Sequence, residues 1–242
     1  MPENPLPQAA QFASSHSMRS NYSTYGVENY YANVAETYRN PHAEGVRNVV
    51  AGWMDTWAAH HAPSQQEDLK KEGPASDPRG VRILDLAAGS GEVTEALDIW
   101  TKRRASGTKG RRNRPGPQIS SPPPPPLLLQ ITATDPYTGP AYTTRTSLPC
   151  LPLSFSDISN GLLPETPTPY AHVICSFALH LLTDPSEIFS LLWELSTRAE
   201  WLLIIAPGKK PEIKEGWGWT RWDIGRWCAA NGDGSEIVSE RV

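Results

Sequence analysis

A chain of 242 residues, 38% of them hydrophobic, is long enough to bury one core of ordinary size, and no run in it approaches the ~18 apolar residues of a membrane span. Net charge is −4, yet Lys102, Arg103, Arg104, Lys109, Arg111, Arg112 and Arg114 share one acid-free window, so the rest of the chain is markedly acidic and ill suited to gripping a nucleic-acid backbone. Cys150, Cys175 and Cys228 are odd in number, far apart and without a C-x-x-C pair, which argues against a disulfide framework or a zinc site and for a reducing, cytoplasmic setting.

Residues 1–25 are rich in Pro, Ser, Gln and Asn, lack periodicity, a basic start and an apolar leader, and are expected to be disordered; one domain is expected over 26–242. From Val27 the spacing of Tyr30, Tyr31, Val34 and Tyr38 predicts a helix. Asn40-Pro41 ends it and caps a second, carrying Val46, Val49, Val50, Trp53, Met54 and Trp57 as far as His60-His61. Residues 62–80, with three prolines and two glycines, are expected to be a linker. VRILDLA then predicts a central parallel strand, and EVTEALDIWTKR a helix through Val93, Leu97 and Trp100. LLLQITATD (127–135) predicts a second strand ending in an acid. AHVICSFALHLL (171–182) predicts another running into a loop, Pro185–Ala199 a helix, and WLLIIAP (201–207) a last strand stopped by Pro207. Strands and helices of these lengths in alternation predict an α/β fold: a Rossmann-like, doubly wound, mostly parallel sheet with helices on both faces and an N-terminal helical extension. Between the first helix of that unit and the second strand, residues 101–126 are basic and then run into Pro122–Pro126. That stretch is expected to be a disordered insertion or a retained intron; a nuclear-localisation patch or a proline-rich ligand for a partner is the sharper reading, and would extend the location to the nucleus.

The turn Ala87-Ala88-Gly89-Ser90-Gly91 follows the first strand, and its glycines permit positive φ and a close approach of ligand to backbone N–H groups. A dinucleotide fingerprint would need a third glycine, but counting from Gly89 reaches Thr94 and counting from Ala87 reaches Glu92. No Gly-Lys-Ser/Thr follows, which removes a P-loop.

What Asp85-Leu-Ala87-Ala-Gly89-Ser-Gly91 resembles is motif I of the class I S-adenosylmethionine-dependent methyltransferases, D-x-G/A-x-G-x-G, with Ala87 in the first glycine position. The resemblance extends over roughly Val27 to Trp222, and YRNPH, SFALHL and KKPEIKEGWGW resemble segments of uncharacterised fungal methyltransferase-domain proteins. It implies S-adenosylmethionine as cofactor, with Asp85, Ala87, Gly89, Ser90 and Gly91 around it. Asp135 at the second strand's end would accept hydrogen bonds from both ribose hydroxyls. Asp135 follows Gly89 by 46 residues, and excising 101–126 brings this to the spacing of about 20 usual for such a unit. LPLSFSDIS resembles the segment after the family's very short third strand, which gives Asp157 the adenine amino group. Ser176 and Phe177 would line the methyl-donor pocket, although Tyr170-Ala171-His172 stands where the family carries an acid. Tyr31, Tyr38, Arg39, Asn40 and His42 would cover the methionine end, with Arg39 on its carboxylate. The chain stops at SEIVSERV, short of the family's last antiparallel strand pair, which is expected to be truncated.

Methyl transfer from a sulfonium is an in-line displacement, so positioning and exclusion of water do most of the work. His180 is the candidate base for a hydroxyl or acidic-carbon acceptor, read against an imidazole satisfied by backbone in a helix-strand junction. Trp217, Trp219, Trp222 and Trp227 either wall an acceptor pocket or pin a loop, and Lys209, Lys210 and Lys214 are expected to be a solvated face. The expected function is methyl transfer to a small-molecule acceptor, with no metal, membrane or nucleic-acid partner and no oligomeric state indicated; the alternative is a non-catalytic methyltransferase-fold protein acting in protein association.

Overall fold

Val, Ile and Leu crowd the stretches that form the central strands, and alternation along each strand sends successive side chains to opposite faces. The computed structural model describes residues 39–71, 80–106, 127–206 and 211–230. Five parallel strands, β1 (Val81–Leu86), β2 (Leu129–Thr134), β3 (Cys150–Leu151), β4 (Tyr170–Ser176) and β5 (Ala199–Ile205), line up in the order β3-β2-β1-β4-β5. In β1, Asp85 sits level with Ala133 of β2 and Ile174 of β4. The order reverses at the β1–β4 boundary, so the crevice outside the carboxyl ends of these two strands is where a doubly wound sheet takes its ligand. The expected Rossmann-like architecture with helices on both faces is the one observed.

Helices α1 (Ala43–Lys71) and α2 (Glu92–Ala105) cover one face, where Val81 and Ile83 meet Val46, Val50, Trp53, Met54, Val93, Leu97 and Trp100. The opposite face packs Leu84, Leu86, Val173 and Cys175 against the short α4 (Phe155–Ser159) and α5 (Pro185–Ser196), through Ile158, Ile188, Leu191, Leu192 and Leu195. Helix α3 (Gly139–Thr146) closes the β2–β3 end with Tyr142 against Ala88 and Ala133.

Three expectations need correction. The second predicted helix does not stop before residue 62 but runs to Lys71; the Gln, Glu, Leu and Lys that follow Pro63 are good helix formers, and propensity carries the helix where a linker was expected. The helix predicted over EVTEALDIWTKR forms and runs on to Ala105, so the first five residues of the stretch 101–126 are helical rather than unstructured: Lys102 pairs with Asp98 (2.6 Å), Arg103 with Asp55 (3.0 Å), and Arg104 lies over the Trp100 ring at 5.6 Å. Ala199 belongs to β5, not to the preceding helix. The stretches at 1–38, 107–126 and 231–242, with the expected disorder, the Tyr30–Tyr38 helix and most of the basic and proline-rich segment, lie outside the described residues, as do Lys209 and Lys210.

A short antiparallel pair, β6 (Trp222–Asp223) with β7 (Cys228–Ala229), stands apart from the main sheet. Trp222 and Trp227 hold this hairpin to Trp201 of β5, each with ring centroids 5.3 Å away. His60 stacks on Trp227 at 4.4 Å, and Trp53 donates to Nδ1 of the fully buried His172 (3.3 Å). On the other face the Trp219 indole donates to the carbonyl of Leu192 (2.8 Å). The tryptophans of this region therefore pin chain segments to both faces. Lys214 is exposed, with its ammonium 5.9 Å from the Trp217 ring centroid.

Candidate functional site

The turn after β1 is built from left-handed residues. Ala87 (φ 54°), Gly89 (φ 58°) and Gly91 (φ 90°) all have positive φ, and Ala87 holds this conformation despite its Cβ. Gly91 precedes α2 and has no side chain to cap it. Asp85 caps the helix in its place, since Thr94 N and Oγ1 donate to its Oδ2 at 3.2 and 2.7 Å. Because the Thr94 hydroxyl spends its proton on Asp85, the Tyr142 hydroxyl must donate to Thr94 Oγ1 (2.9 Å). Burial is the main reason that the Asp85 carboxyl is pushed up to about 7; the Thr94 hydrogen bonds pull against it, and Glu92 and Asp135 add to it. Burial likewise pushes the Tyr142 phenol up to about 12, which keeps it a donor. Asp85 thus supports the loop from beneath.

Gly91 serves packing as well as conformation. A Cβ here would lie 2.6 Å from Thr146 Cγ2 and 3.2 Å from Tyr142 Cδ2, so the missing side chain lets α3 approach. From sequence, that gap belongs to a ligand. Gly89 is different: its N–H donates to Asp135 Oδ2 (3.1 Å), and its carbonyl accepts from Thr138 Oγ1 (2.7 Å). Asp135 Oδ1 also accepts from the N–H groups of Tyr137 (2.9 Å) and Thr138 (2.8 Å). A carboxylate offers about four acceptor positions. With these three filled, one position on Oδ2 is left, room for one ribose hydroxyl where the sequence suggested two. A cavity of about 600 Å³ opens from Asp135 and runs between α3 and the β3 edge, lined by Tyr137, Pro140, Thr143, Cys150 and Pro152, away from the glycine loop.

At the carboxyl end of β4, Ser176 closes the strand and Phe177 is left-handed (φ 52°), with its N–H bound to the Ile205 carbonyl (2.6 Å). The ends of β1 and β4, which flank the switch point, therefore each carry a non-glycine residue in a strained conformation. The His42 ring stacks on Phe177 at 4.7 Å. Asn40 Oδ1 accepts from His42 N (2.9 Å) at the start of α1, close to the expected cap. Arg39 is exposed at the head of this segment, and Tyr38 lies outside the described residues.

His180 sits in a 3-10 turn (Leu179–Leu181) after β4; its Nδ1 is buried without a hydrogen-bond partner among the described residues, and burial lowers its pKa. No hydrogen bond ties it to the glycine loop among the described residues. Asp157 occupies the third position of α4 in a capping box, its Oδ2 taking the N–H (2.8 Å) and hydroxyl (2.6 Å) of Ser154; these bonds hold its pKa low.

Sequence reasoning missed Glu92 and Arg145. Glu92 is 5% exposed, and its Oε1 accepts from Asn40 N (3.1 Å), Ser90 Oγ and Arg145 (3.0 Å). Arg145 also bonds Ser90 Oγ (3.3 Å) and Glu95. An acid in the first turn of a helix reads as a dipole partner, and GPAYTTRT has no apolar period to reveal α3 at all. Among the described residues no cluster of three His, Cys, Asp or Glu is placed to hold a metal, and no helix is long and apolar enough to cross a membrane.

No protein-family model matches the chain. Among solved structures, magnesium protoporphyrin IX methyltransferase from Synechocystis PCC 6803 with bound SAM is similar at 13% identity and a TM-score of 0.39, over 89% of this chain and 84% of that one. The amino pentose methyltransferase CalS10 from Micromonospora echinaspora, also with SAM, is similar at 13% identity and a TM-score of 0.35, over 69% of this chain and 61% of that one. In sequence, the chain is 41% identical over 234 residues to the Schizosaccharomyces pombe protein named Uncharacterized protein C17A5.05c, covering 94% of this chain and 90% of the relative. This chain therefore belongs to the same family as that fission-yeast protein.

Proposed function

We propose that the chain is an S-adenosylmethionine-dependent methyltransferase acting on a small-molecule acceptor. The observation that carries this reading is the Gly89–Asp135 contact: a carboxylate fixed by three backbone N–H groups beside the switch point, with one acceptor position left on Oδ2 for a ribose hydroxyl. The motif I pattern over Asp85–Gly91 adds the sulfonium cofactor to that nucleoside chemistry. When bound, the cofactor supplies a methyl group to an attacking lone pair.

Each candidate residue then has its part. Ala87, Gly89, Ser90 and Gly91 form the loop under the cofactor, braced by Asp85. Ser176 and Phe177 lie beside the methyl donor at the end of β4, and Asp157 is the acceptor for the adenine amino group, through Oδ1, which takes no part in its cap. Arg39 belongs to the cover over the methionine end, with Asn40 and His42. His180 receives the acceptor's proton: burial lowers its pKa and so favours the neutral imidazole, the form that can accept one.

Calorimetry tests the cofactor assignment: the protein is expected to bind S-adenosylmethionine, Asp135→Ala to weaken that binding at least tenfold, and His180→Ala to bind normally but lose turnover with labelled donor and the small-molecule fraction of a cell extract. Folded wild-type protein without detectable binding would refute it.

A further inference from the structure

We infer that the site holds a nucleoside by one ribose hydroxyl alone and leaves the other facing a neutral cavity, so that it takes nucleosides altered at that second hydroxyl. This rests on the methyltransferase reading for the identity of the ligand; the acceptor positions are read from the chain's own contacts. A carboxylate that grips both hydroxyls needs an open position for each. Asp135 has one, because Oδ1 is filled by the N–H groups of Tyr137 and Thr138 and Oδ2 already takes Gly89 N. These donors are pinned from both sides. Gly89 is left-handed and its carbonyl accepts from Thr138 Oγ1 (2.7 Å), while the Thr138 carbonyl accepts from Tyr142 N (3.0 Å) as α3 begins. Asp135 is itself tethered, its N–H donating to the Leu151 carbonyl (2.9 Å). With Asp135 8% and Thr138 1% exposed, turning one donor away would strand a buried N–H, and the Thr138 hydroxyl is out of a second ribose hydroxyl's reach.

The space beside Asp135 suits a hydroxyl that nothing grips. The cavity of about 600 Å³ opens from this residue, with Tyr137, Thr143, Cys150 and Pro152 among its walls. Asp157, the acceptor assigned to the adenine, is not one of the described residues that line it, so the base leaves this volume to a group carried on the ribose. A cavity of this size holds far more than a methyl group. Charge sets the limit on what enters. Among the described lining residues there is no Lys, Arg or His, and Asp135 is the one charged group, so a phosphate would face a carboxylate without a counter-ion. The ligand class is therefore an adenine nucleoside whose second ribose oxygen is bare, missing or capped by a neutral group.

Calorimetry on the full chain tests this with unreactive probes: S-adenosylhomocysteine and its 2′-deoxy and 3′-deoxy forms. One deoxy form is expected to bind within about twofold of the parent and the other at least about tenfold more weakly, the scale of one lost hydrogen bond to a charged group. The methyl ether of the dispensable hydroxyl is expected to stay within about threefold of the parent, and its phosphate to fall at least about tenfold. In Asp135→Asn the carboxamide oxygen has room only for Tyr137 and Thr138, so the parent should weaken at least about tenfold and the two deoxy forms should bind alike. Should that variant not fold, the wild-type panel decides alone. Parent bound, with both deoxy forms weakened equally or both as tight as the parent, overturns the single-hydroxyl site; a rejected methyl ether overturns the cavity's part in it. Wild-type protein that binds neither S-adenosylmethionine nor S-adenosylhomocysteine overturns the methyltransferase reading, and this inference with it.

Discussion

Replacing Gly91 by Ala probes whether that position is bare for a helix or for a ligand. Two costs follow from the structure. A left-handed alanine costs about 1–2 kcal/mol, and a Cβ 2.6 Å from Thr146 Cγ2 forces a shift that costs about 1–3 kcal/mol, as overpacking does. The expected loss is therefore about 2–5 kcal/mol in urea unfolding. Thr146→Ser removes the obstructing methyl but keeps the hydroxyl that donates to the Tyr142 carbonyl and accepts from Leu148 N. In the double variant about 1–2 kcal/mol should return, leaving the backbone cost and a tight approach to Tyr142, so the cycle should show a coupling of at least about 1 kcal/mol. A Gly91→Ala protein with wild-type stability, or a double variant that recovers nothing, would refute the packing argument.

Two buried groups set opposed pH dependences. Asp85 rises from 3.8 to about 7 on folding, so its contribution to stability is complete below pH 3.8 and falls by about 1.4 kcal/mol per unit as the pH climbs to 7. The stability advantage of wild type over Asp85→Asn should shrink by that slope across the window when chemical unfolding is followed at each pH. His172 falls from 6.5 to about 3, chiefly through burial, so its contribution is complete above pH 6.5 and is lost by about 1.4 kcal/mol per unit as the pH drops toward 3. His172→Phe should lose that acid sensitivity and show the uncompensated Asp85 slope; a flat profile in this variant would contradict the pairing. Ala87→Gly should leave stability level or raise it by up to about 1 kcal/mol, because the left-handed backbone no longer carries a Cβ, whereas Ala87→Val should lower it; equal effects in thermal unfolding would sink the strain assignment.

The legible part of this fold was the part that patterning dictates. VRILDL, LQITAT and VICS are short β-branched or apolar runs bounded by turn residues, and they form β1, β2 and most of β4. Asn40 was readable because capping is local chemistry. Where long-range contact decides, the sequence was mute. Helix α3 exists because Ala141 and Tyr142 are buried, and nothing in GPAYTTRT has helical period. Asp85 could be placed in a motif but not recognised as the cap of α2, since its partner Thr94 lies across a turn whose shape only the fold defines. Gly91 was read as an opening because the residue it makes room for, Thr146, is distant in sequence. The tryptophans of the Trp217–Trp227 region suit a pocket wall and a pinned loop equally in sequence, and the contacts of Trp219, Trp222 and Trp227 make these three aromatic anchors.

Strand β5 is seven residues long and outermost on its side, where no strand among the described residues joins it, whereas the opposite border ends in the two-residue β3. Glu200 is the one charge in AEWLLII, and neither lysine nor proline interrupts the run. Such a border is a template for recruiting stray strands. The hairpin anchored by Trp222 and Trp227 on one side, and the stretch around Ile213, Trp217 and Trp219 on the other, shield its two faces. Any change that unfastens them should turn a soluble preparation into one that aggregates, well before the Gly89–Asp135 contact is disturbed.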